Sequence, residues 1–299
     1  MHIATAQALA EKVSPFSIDK IGLSLGKKYK ACWKLMSGRA PGKTTGKMIK
    51  VLNEDGSNWN KIPFRKESNG CGASMRAACI GLCFLNDLEQ LIAVSVEAGR
   101  ITHHNPNGYL GSVASALFAC LAFKEVALEW WPLLFLQSKG LIAKYLQQSG
   151  REVNFNLKAE NFNFFFDKIQ SYVKTRNLLP NEEDKVVPKF PDPFGVLERD
   201  NFYRGISYSG WGGSSGHDSV IIAYDALLGC KGSWEQLCLR GVLHGGDNDS
   251  TGTMCCAWFG ALYGFKDIPE CNYKFCEDNN LLRTLGGTLL DKYYSEKLK

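Results

Sequence analysis

The sequence predicts an all-α protein built by helix-on-helix packing, and three observations predict it. Apolar residues recur at three- and four-residue spacing through much of the chain, for example over residues 1–9, 88–98 and 109–123. Alternating apolar and polar runs, the mark of a half-buried strand, are scarce. Polar loops rich in glycine and serine separate the periodic segments and supply stop and start signals.

Taken in order, the chain opens on a helical pattern over residues 1–9 with no capping residue before it, and a second pattern covers 18–36. Residues 37–50 read as a loop, because Gly38, Pro41, Gly42 and Gly46 fall within them. Gly42-Lys43-Thr44 resembles the end of a phosphate loop, but Ser37 stands where the Walker pattern needs glycine and no buried strand precedes it. A glycine turn at 69–73 leads into a helix over 74–84 with Arg76 in its first turns, and a helix over 88–98 ends at Gly99. After the polar loop 102–106, the small residues Gly111, Ser112, Ala114, Ser115 and Ala116 in the helix 109–123 imply close packing. Helices are expected over 125–148 and 161–176, and then a proline-rich surface connection over 177–195. The loop 207–218 gives way to a helix over 220–228, Ser233 caps a short helix to Leu239, and helices over 254–265 and 280–290 complete the chain.

A chain of 299 residues with 45% hydrophobic side chains can bury one large core, and one domain spanning 1–299 is expected. The net charge of +5 is spread along the chain, so no face for nucleic acid is expected. The longest apolar stretch, near 127–142, is interrupted by Glu129, Gln137, Lys139 and Gly140, so no membrane span is expected. Eleven cysteines without a Cys-x-x-Cys pair, and without a signal peptide, point to reduced thiols and to the cytoplasm.

The chemistry concentrates in His244-Gly245-Gly246-Asp247-Asn248-Asp249-Ser250-Thr251-Gly252. Two carboxylates and two hydroxyls follow a Gly-Gly turn and open an apolar helix. One such residue explains itself as an N-cap, but four are more than a cap needs. Clustered oxygen donors on a sharp turn match what a hard cation such as Mg2+ requires.

The other candidates are weaker. His103 and His104 are adjacent, cannot share a helix face as an i, i+4 pair, and do not read as a zinc site. Ser209, Ser215 and Cys71 lack the setting of an activated nucleophile. His217-Asp218 at a helix start reads equally as a surface histidine and a favourable first-turn charge. The amides of the loop 209–216, with the helix behind it, form a cradle suited to a pyrophosphate.

Four motifs together resemble the ADP-ribosylglycohydrolase family, and most closely its ADP-ribosylarginine hydrolases. They are Asn69-Gly70-Cys71-Gly72-Ala73-Ser74-Met75-Arg76, Gly99-Arg100-Ile101-Thr102-His103-His104-Asn105-Pro106, Ser207-Tyr208-Ser209-Gly210-Trp211-Gly212-Gly213-Ser214-Ser215-Gly216-His217-Asp218 and His244-Gly245-Gly246-Asp247-Asn248-Asp249-Ser250-Thr251. The resemblance keeps order and spacing from Met1 to about Leu290.

It implies a compact orthogonal multi-helix domain with a binuclear Mg2+ centre that cuts the N-glycosidic bond between ADP-ribose and a protein arginine, with Mg-activated water. By resemblance Asp247 and Asp249 are catalytic, and with Ser250 they ligate metal. The substrate would be held by Tyr208, Ser209, Gly210, Trp211, Ser214, Ser215 and Gly216, with Gly42, Lys43, Thr44, Arg76, His103 and Tyr109 lining the ADP-ribose pocket. The expected partners are ADP-ribosylated proteins and free ADP-ribose, and the expected state is a monomer.

The family draws its remaining metal ligands from an Asp-Asp-Thr segment just before the helix that starts here at Met1. The expectation is therefore an N-terminally truncated member holding fewer ions. The alternative is a catalytically impaired pseudoenzyme that still binds ADP-ribose.

Overall fold

The computed structural model describes residues 1–11, 15–150, 155–183 and 185–294, and for 155–159 the backbone alone. In chain order the helices are α1 (His2–Ala10), α2 (Ile18–Trp33), α3 (Lys43–Val51), α4 (Ala78–Cys83), α5 (Leu88–Arg100), α6 (Pro106–Phe123) and α7 (Trp131–Gln137). They continue as α8 (Lys139–Gln148), α9 (Phe155–Thr175), α10 (Val196–Ile206), α11 (Gly216–Gly229), α12 (Trp234–Leu237), α13 (Asn248–Tyr263) and α14 (Asn279–Tyr294). No strand occurs among the described residues, only an isolated bridge between Gly70 and Ser215. The fold is all-α, as the periodicity predicts.

Helix α6 is the axis of the core. Asn105 caps it through its side-chain oxygen, which accepts from the Asn107 amide at 2.9 Å, and Pro106 occupies the first turn, where its missing N–H costs nothing. Every residue from Pro106 to Ala122 is buried, against α4, α5, α9, α11 and α13. Small residues allow that approach: a Cβ on Gly81 of α4 would stand 1.9 Å from the Ala116 carbonyl oxygen, so only glycine fits. This helix is long and apolar enough to cross a membrane by length and composition, and 94% of it is buried within the fold. The long apolar helix is thus α6, and residues 127–142 are divided between shorter helices.

Around α6 the rings of Phe118, Trp131, Tyr224 and Trp258 close on one another, with centroids 5.3 Å apart for Phe118 and Trp258 and 5.4 Å for Phe118 and Tyr224. Such pairs add about 0.5–1.5 kcal/mol each beyond their buried area. The Trp258 indole N–H also donates to the Ser115 carbonyl at 3.1 Å, which fixes α13 against α6.

Three segments differ from the sequence expectation. Residues read as loop form α3, because Gly46 is a packing glycine: a Cβ there would sit 2.9 Å from the Trp33 ring, while Met48 and Ile49 are buried. The segment expected as one helix is broken into α7 and α8, with Pro132 in the first turn of α7 and the Ser138 hydroxyl turned back onto the Phe135 carbonyl at 2.7 Å. Helix α10 was not anticipated, since its buried positions are Arg199 and Tyr203, which break the apolar pattern.

Helix α10 is tied to the core by a buried cluster. Asp225 on α11 accepts from Arg176 Nε at 2.6 Å, Tyr172 at 2.7 Å and Tyr203 at 3.2 Å. The Arg176 guanidinium lies over Phe190, Phe194 and Phe202, so the proline-rich connection is pinned beside it. A charge buried this deeply needs such partners. All eleven cysteines are free thiols.

Candidate active site

The loop before α13 is held from behind. The Gly246 amide donates to His244 Nδ1 at 3.0 Å, so Nε2 carries the proton and donates to Thr251 Oγ1 at 2.8 Å, and Thr251 passes its own proton to the Gly241 carbonyl at 2.8 Å. Burial pushes the His244 pKa below its usual range, which agrees with a neutral ring in this relay. Glycine is required at 246, because a Cβ would lie 2.1 Å from the Gly212 carbonyl oxygen.

Asp247 occupies the N-cap position of α13 but makes no side-chain cap bond. The cap explanation for this carboxylate therefore fails. Its Oδ2 accepts from the Cys71 thiol at 3.4 Å, and that sulfur is 3.3 Å from Ser250 Oγ, which donates to Met75 Sδ at 3.3 Å. Burial, and then the neighbouring Asp249 carboxylate, push Asp247 up to about 6. Burial and the Asp247 charge push the Cys71 thiol far up, so it stays protonated and is no nucleophile.

Two carboxylates and a hydroxyl crowded together, with the charge of one suppressed by the other, form a donor set that a hard divalent cation relieves. Among the described residues no three His, Cys, Asp or Glu side chains converge. Asp247, Asp249 and Ser250 therefore fit Mg2+ as part of a coordination shell, with water or further oxygens supplying the rest.

The glycine-serine loop meets this centre directly. The Asp247 amide donates to the Gly212 carbonyl at 2.8 Å, while the Ser214 carbonyl accepts from the Cys71 amide at 3.0 Å and the Asn69 carbonyl from the Gly216 amide at 2.9 Å. Gly216 must be glycine, as a Cβ would stand 1.7 Å from the Asn107 carbonyl oxygen. Gly210 and Gly213 have φ of 79° and 98°, which a side chain would strain. The amides of Ser209, Gly210, Trp211, Gly212 and Gly213 donate to no group among the described residues. Five open amides in one loop, ahead of the α11 N-terminus, are donors of the kind an anion takes up. Tyr208 and Trp211 are 58% and 55% exposed and stand on its rim.

The remaining predicted residues divide in two. Gly42, Lys43 and Thr44 begin α3 at the surface, beside the 69–76 turn: Thr45 Oγ1 is 3.4 Å from where a Cβ on Gly72 would be. His103 lies under that same glycine, 2.7 Å from its notional Cβ, and is pushed down to about 3 by burial and by the Arg76 guanidinium. Arg76 and Tyr109 are core residues. Arg76 spends its donors on Tyr29, Gly72, Ala98 and Thr102, and Tyr109 packs under the Arg100 guanidinium, so neither side chain opens onto a pocket.

A cleft beside the loop is lined by Asp200, Tyr203 and Arg204 of α10, with Gly210, Gly212, His244, Gly245 and Gly246. Sequence reasoning missed the α10 residues along with the helix. It also left aside Asp218, whose carboxylate accepts from the amides of both Tyr208 and Ser215 at 2.9 and 2.8 Å. The Ser215-x-x-Asp218 spacing signals a capping box, but nothing in it signals the second bond.

Comparison with known proteins matches residues 1–298 to the family described as ADP-ribosylglycohydrolase. The chain is 42% identical over 304 residues to a Dictyostelium discoideum protein named ADP-ribosylhydrolase ARH1, covering 95% of this chain and 77% of that protein. It is 32% identical over 295 residues to a protein of Acanthamoeba polyphaga mimivirus provisionally named ADP-ribosyl glycohydrolase L444, and 26% identical over 225 residues to Bos taurus ADP-ribosylhydrolase ARH3. Those alignments cover 95% and 71% of this chain, and 56% and 54% of the two relatives.

Proposed function

The chain belongs to the ADP-ribosylglycohydrolase family, and from that premise we propose that it releases ADP-ribose from modified arginine side chains, with Mg2+ as its metal and arginine-ADP-ribosylated proteins as its substrates. The observation that carries the reading is the contact between an anion cradle and a carboxylate loop, made by the Asp247 amide on the Gly212 carbonyl. A diphosphate in the cradle places the attached ribose toward Asp247, Asp249 and Ser250.

The open amides of 209–213 bind the diphosphate oxygens, and Tyr208 and Trp211 shield them from water. Asp247, Asp249 and Ser250 would hold the Mg2+, which when bound orients the ribose hydroxyls and lowers the pKa of a water. Water adds to the anomeric carbon as the C–N bond breaks with its electron pair going to the guanidinium nitrogen. The neutral guanidine so formed takes the proton that the water releases and departs as guanidinium. The ribose carries oxocarbenium-like charge at the crossing point, and the carboxylate of Asp247 would stabilise it.

The test is release of ADP-ribose from an arginine-ADP-ribosylated protein, with and without Mg2+. Mg2+-dependent release supports the reading; no release at high protein concentration and saturating Mg2+ sinks it. A second reading, ADP-ribose binding without turnover, is supported by the small number of metal donors that converge among the described residues. Its signature is binding of ADP-ribose in calorimetry with no release in the same assay.

A further inference from the structure

The geometry points to Asp218 as the positioning residue of the anion cradle: its two carboxylate oxygens hold the amides at both ends of the loop, Tyr208 and Ser215, and so set the loop amides for a diphosphate. This rests on the reading of the loop as the ADP-ribose diphosphate site. An acidic residue in the first turn of a helix ordinarily completes a capping box and no more. Here one oxygen does that, accepting from Ser215 at 2.8 Å, while the other reaches Tyr208, ten residues earlier in the chain, at 2.9 Å.

His217 beside it closes the same bracket, since its Nε2 donates to the Ile206 carbonyl at 3.3 Å and its Nδ1 lies 3.0 Å from Ser215 Oγ. Between those anchors the Gly212 and Ser214 carbonyls accept from the Asp247 and Cys71 amides, and the amides of 209–213 are left open. The far side of the loop is fastened to Asp247 through Gly212. Asp218 therefore sets the two ends of the loop, while the Asp247 amide holds its middle.

Asp218 is buried, and burial pushes it up to about 6 against the pull of its amide partners. The charged and titratable groups facing it are few. His217 is on its own helix, Lys168 of α9 faces His217, and Cys71 of the 71–76 turn, which donates to Asp247, also feels the Asp218 charge. The carboxylate holds both amides at neutral pH, and protonation turns one oxygen into a hydroxyl that no longer accepts well.

The experiment compares the full chain with Asp218→Asn, whose amide offers one acceptor and turns an NH2 toward the other donor. In the unliganded protein, hydrogen exchange of the Tyr208 and Ser215 amides should quicken about tenfold, the equivalent of one charge-assisted hydrogen bond, while the α6 amides stay as they were. The Kd for ADP-ribose should rise about tenfold, and on the arginine substrate KM should rise with kcat held within about threefold. Taking the unsubstituted chain from about pH 7.5 to about pH 5 should quicken exchange of the Tyr208 and Ser215 amides toward the rates of Asp218→Asn, after correction for the intrinsic rate, and those two amides in the variant should stay flat.

If the unsubstituted chain binds ADP-ribose and Asp218→Asn matches it in Kd and exchange, the inference is overturned. If the unsubstituted chain does not bind, the function reading fails, and the exchange comparison decides the role of Asp218 alone. Should the variant not fold, the pH series remains: exchange of the two amides that stays flat to about pH 5, after correction for the intrinsic rate, overturns the inference.

Discussion

The amide of Asp247 donates to the carbonyl of Gly212 at 2.8 Å, and this bond joins the loop that gathers carboxylates to the loop that gathers open amides. The two loops lie 35 residues apart by subtraction of their numbers, 247 minus 212. They meet because Gly246 and Gly212 lack side chains at the crossing: a Cβ on either would press on backbone, 2.1 Å from the Gly212 oxygen in one case and 3.1 Å from the Tyr203 oxygen in the other.

Gly246→Ala is therefore expected to separate the loops. The obstructing atom is a backbone oxygen, so relief requires the chain to shift rather than a rotamer to change. The expected cost is about 1–3 kcal/mol in urea unfolding, with ADP-ribose affinity lost beyond what that destabilisation explains. A variant as stable and as tightly binding as the original would show that the crossing is not confined.

Asp247→Asn keeps the shape of the side chain and removes its charge, and the residue makes no cap bond that the change would disturb. The fold should survive with a thermal midpoint near that of the original, or above it, because the crowding with Asp249 is relieved. Mg2+ binding by calorimetry should vanish, and ADP-ribose release should fall by about a hundredfold or more. Chelation of the original chain should produce the same loss and Mg2+ should restore it. Retained Mg2+ binding in Asp247→Asn would remove this aspartate from the centre.

The parts of this arrangement legible in the sequence are those that local chemistry dictates. Ser233 caps the short helix after it, as its place before that helix indicates, while α6 and α11 begin at Pro106 and Gly216, inside stretches that read as loop. The density of oxygen donors at 247–251 marks a candidate site, and the structure adds that the Asp247 carboxylate is left unused by α13. What was not legible comes from long-range packing. Gly46 reads as a loop glycine and is a seat for Trp33. By resemblance Arg76 lines the ADP-ribose pocket, yet it is a buried strut, because its four acceptors arrive from α2, α5 and the turns beside them. The contact of Cys71 with Asp247 spans 176 residues and has no local signal.

The core around α6 can be tested at Trp258, which is fully buried against Phe118 and Trp131 and donates to Ser115. Trp258→Ala should cost about 3–5 kcal/mol, from the lost transfer energy and the cavity left between α6 and α13. Trp258→Phe keeps most of the ring but leaves the Ser115 carbonyl without this donor, and it should cost about half as much. A loss under about 1 kcal/mol for the alanine change, measured by urea unfolding, would mean that the site collapses and that α13 is not pinned there.

His217 sets a slope of stability with pH that can be isolated. Burial pushes it down to about 4, from 6.5 in the unfolded chain, so the folded protein keeps it neutral where the unfolded chain would charge it. The unfolded state then binds the extra proton between those two values. Stability contributed by this residue is full above 6.5 and is lost as pH falls toward 4. Asp218 and Asp247, raised from 3.8 to about 6, act with the opposite sign: their contribution is present below 3.8 and is lost as pH rises through 6. The slope of the unsubstituted chain is thus a partial cancellation, and only a difference reads one group. Between about pH 5 and 6 the slope for His217→Gln should be lower than for the original by up to about 1.4 kcal/mol per pH unit, the value for one proton. Urea midpoints at half-unit steps measure both slopes, and equal slopes would mean that His217 takes up its proton in the folded protein as readily as in the unfolded chain.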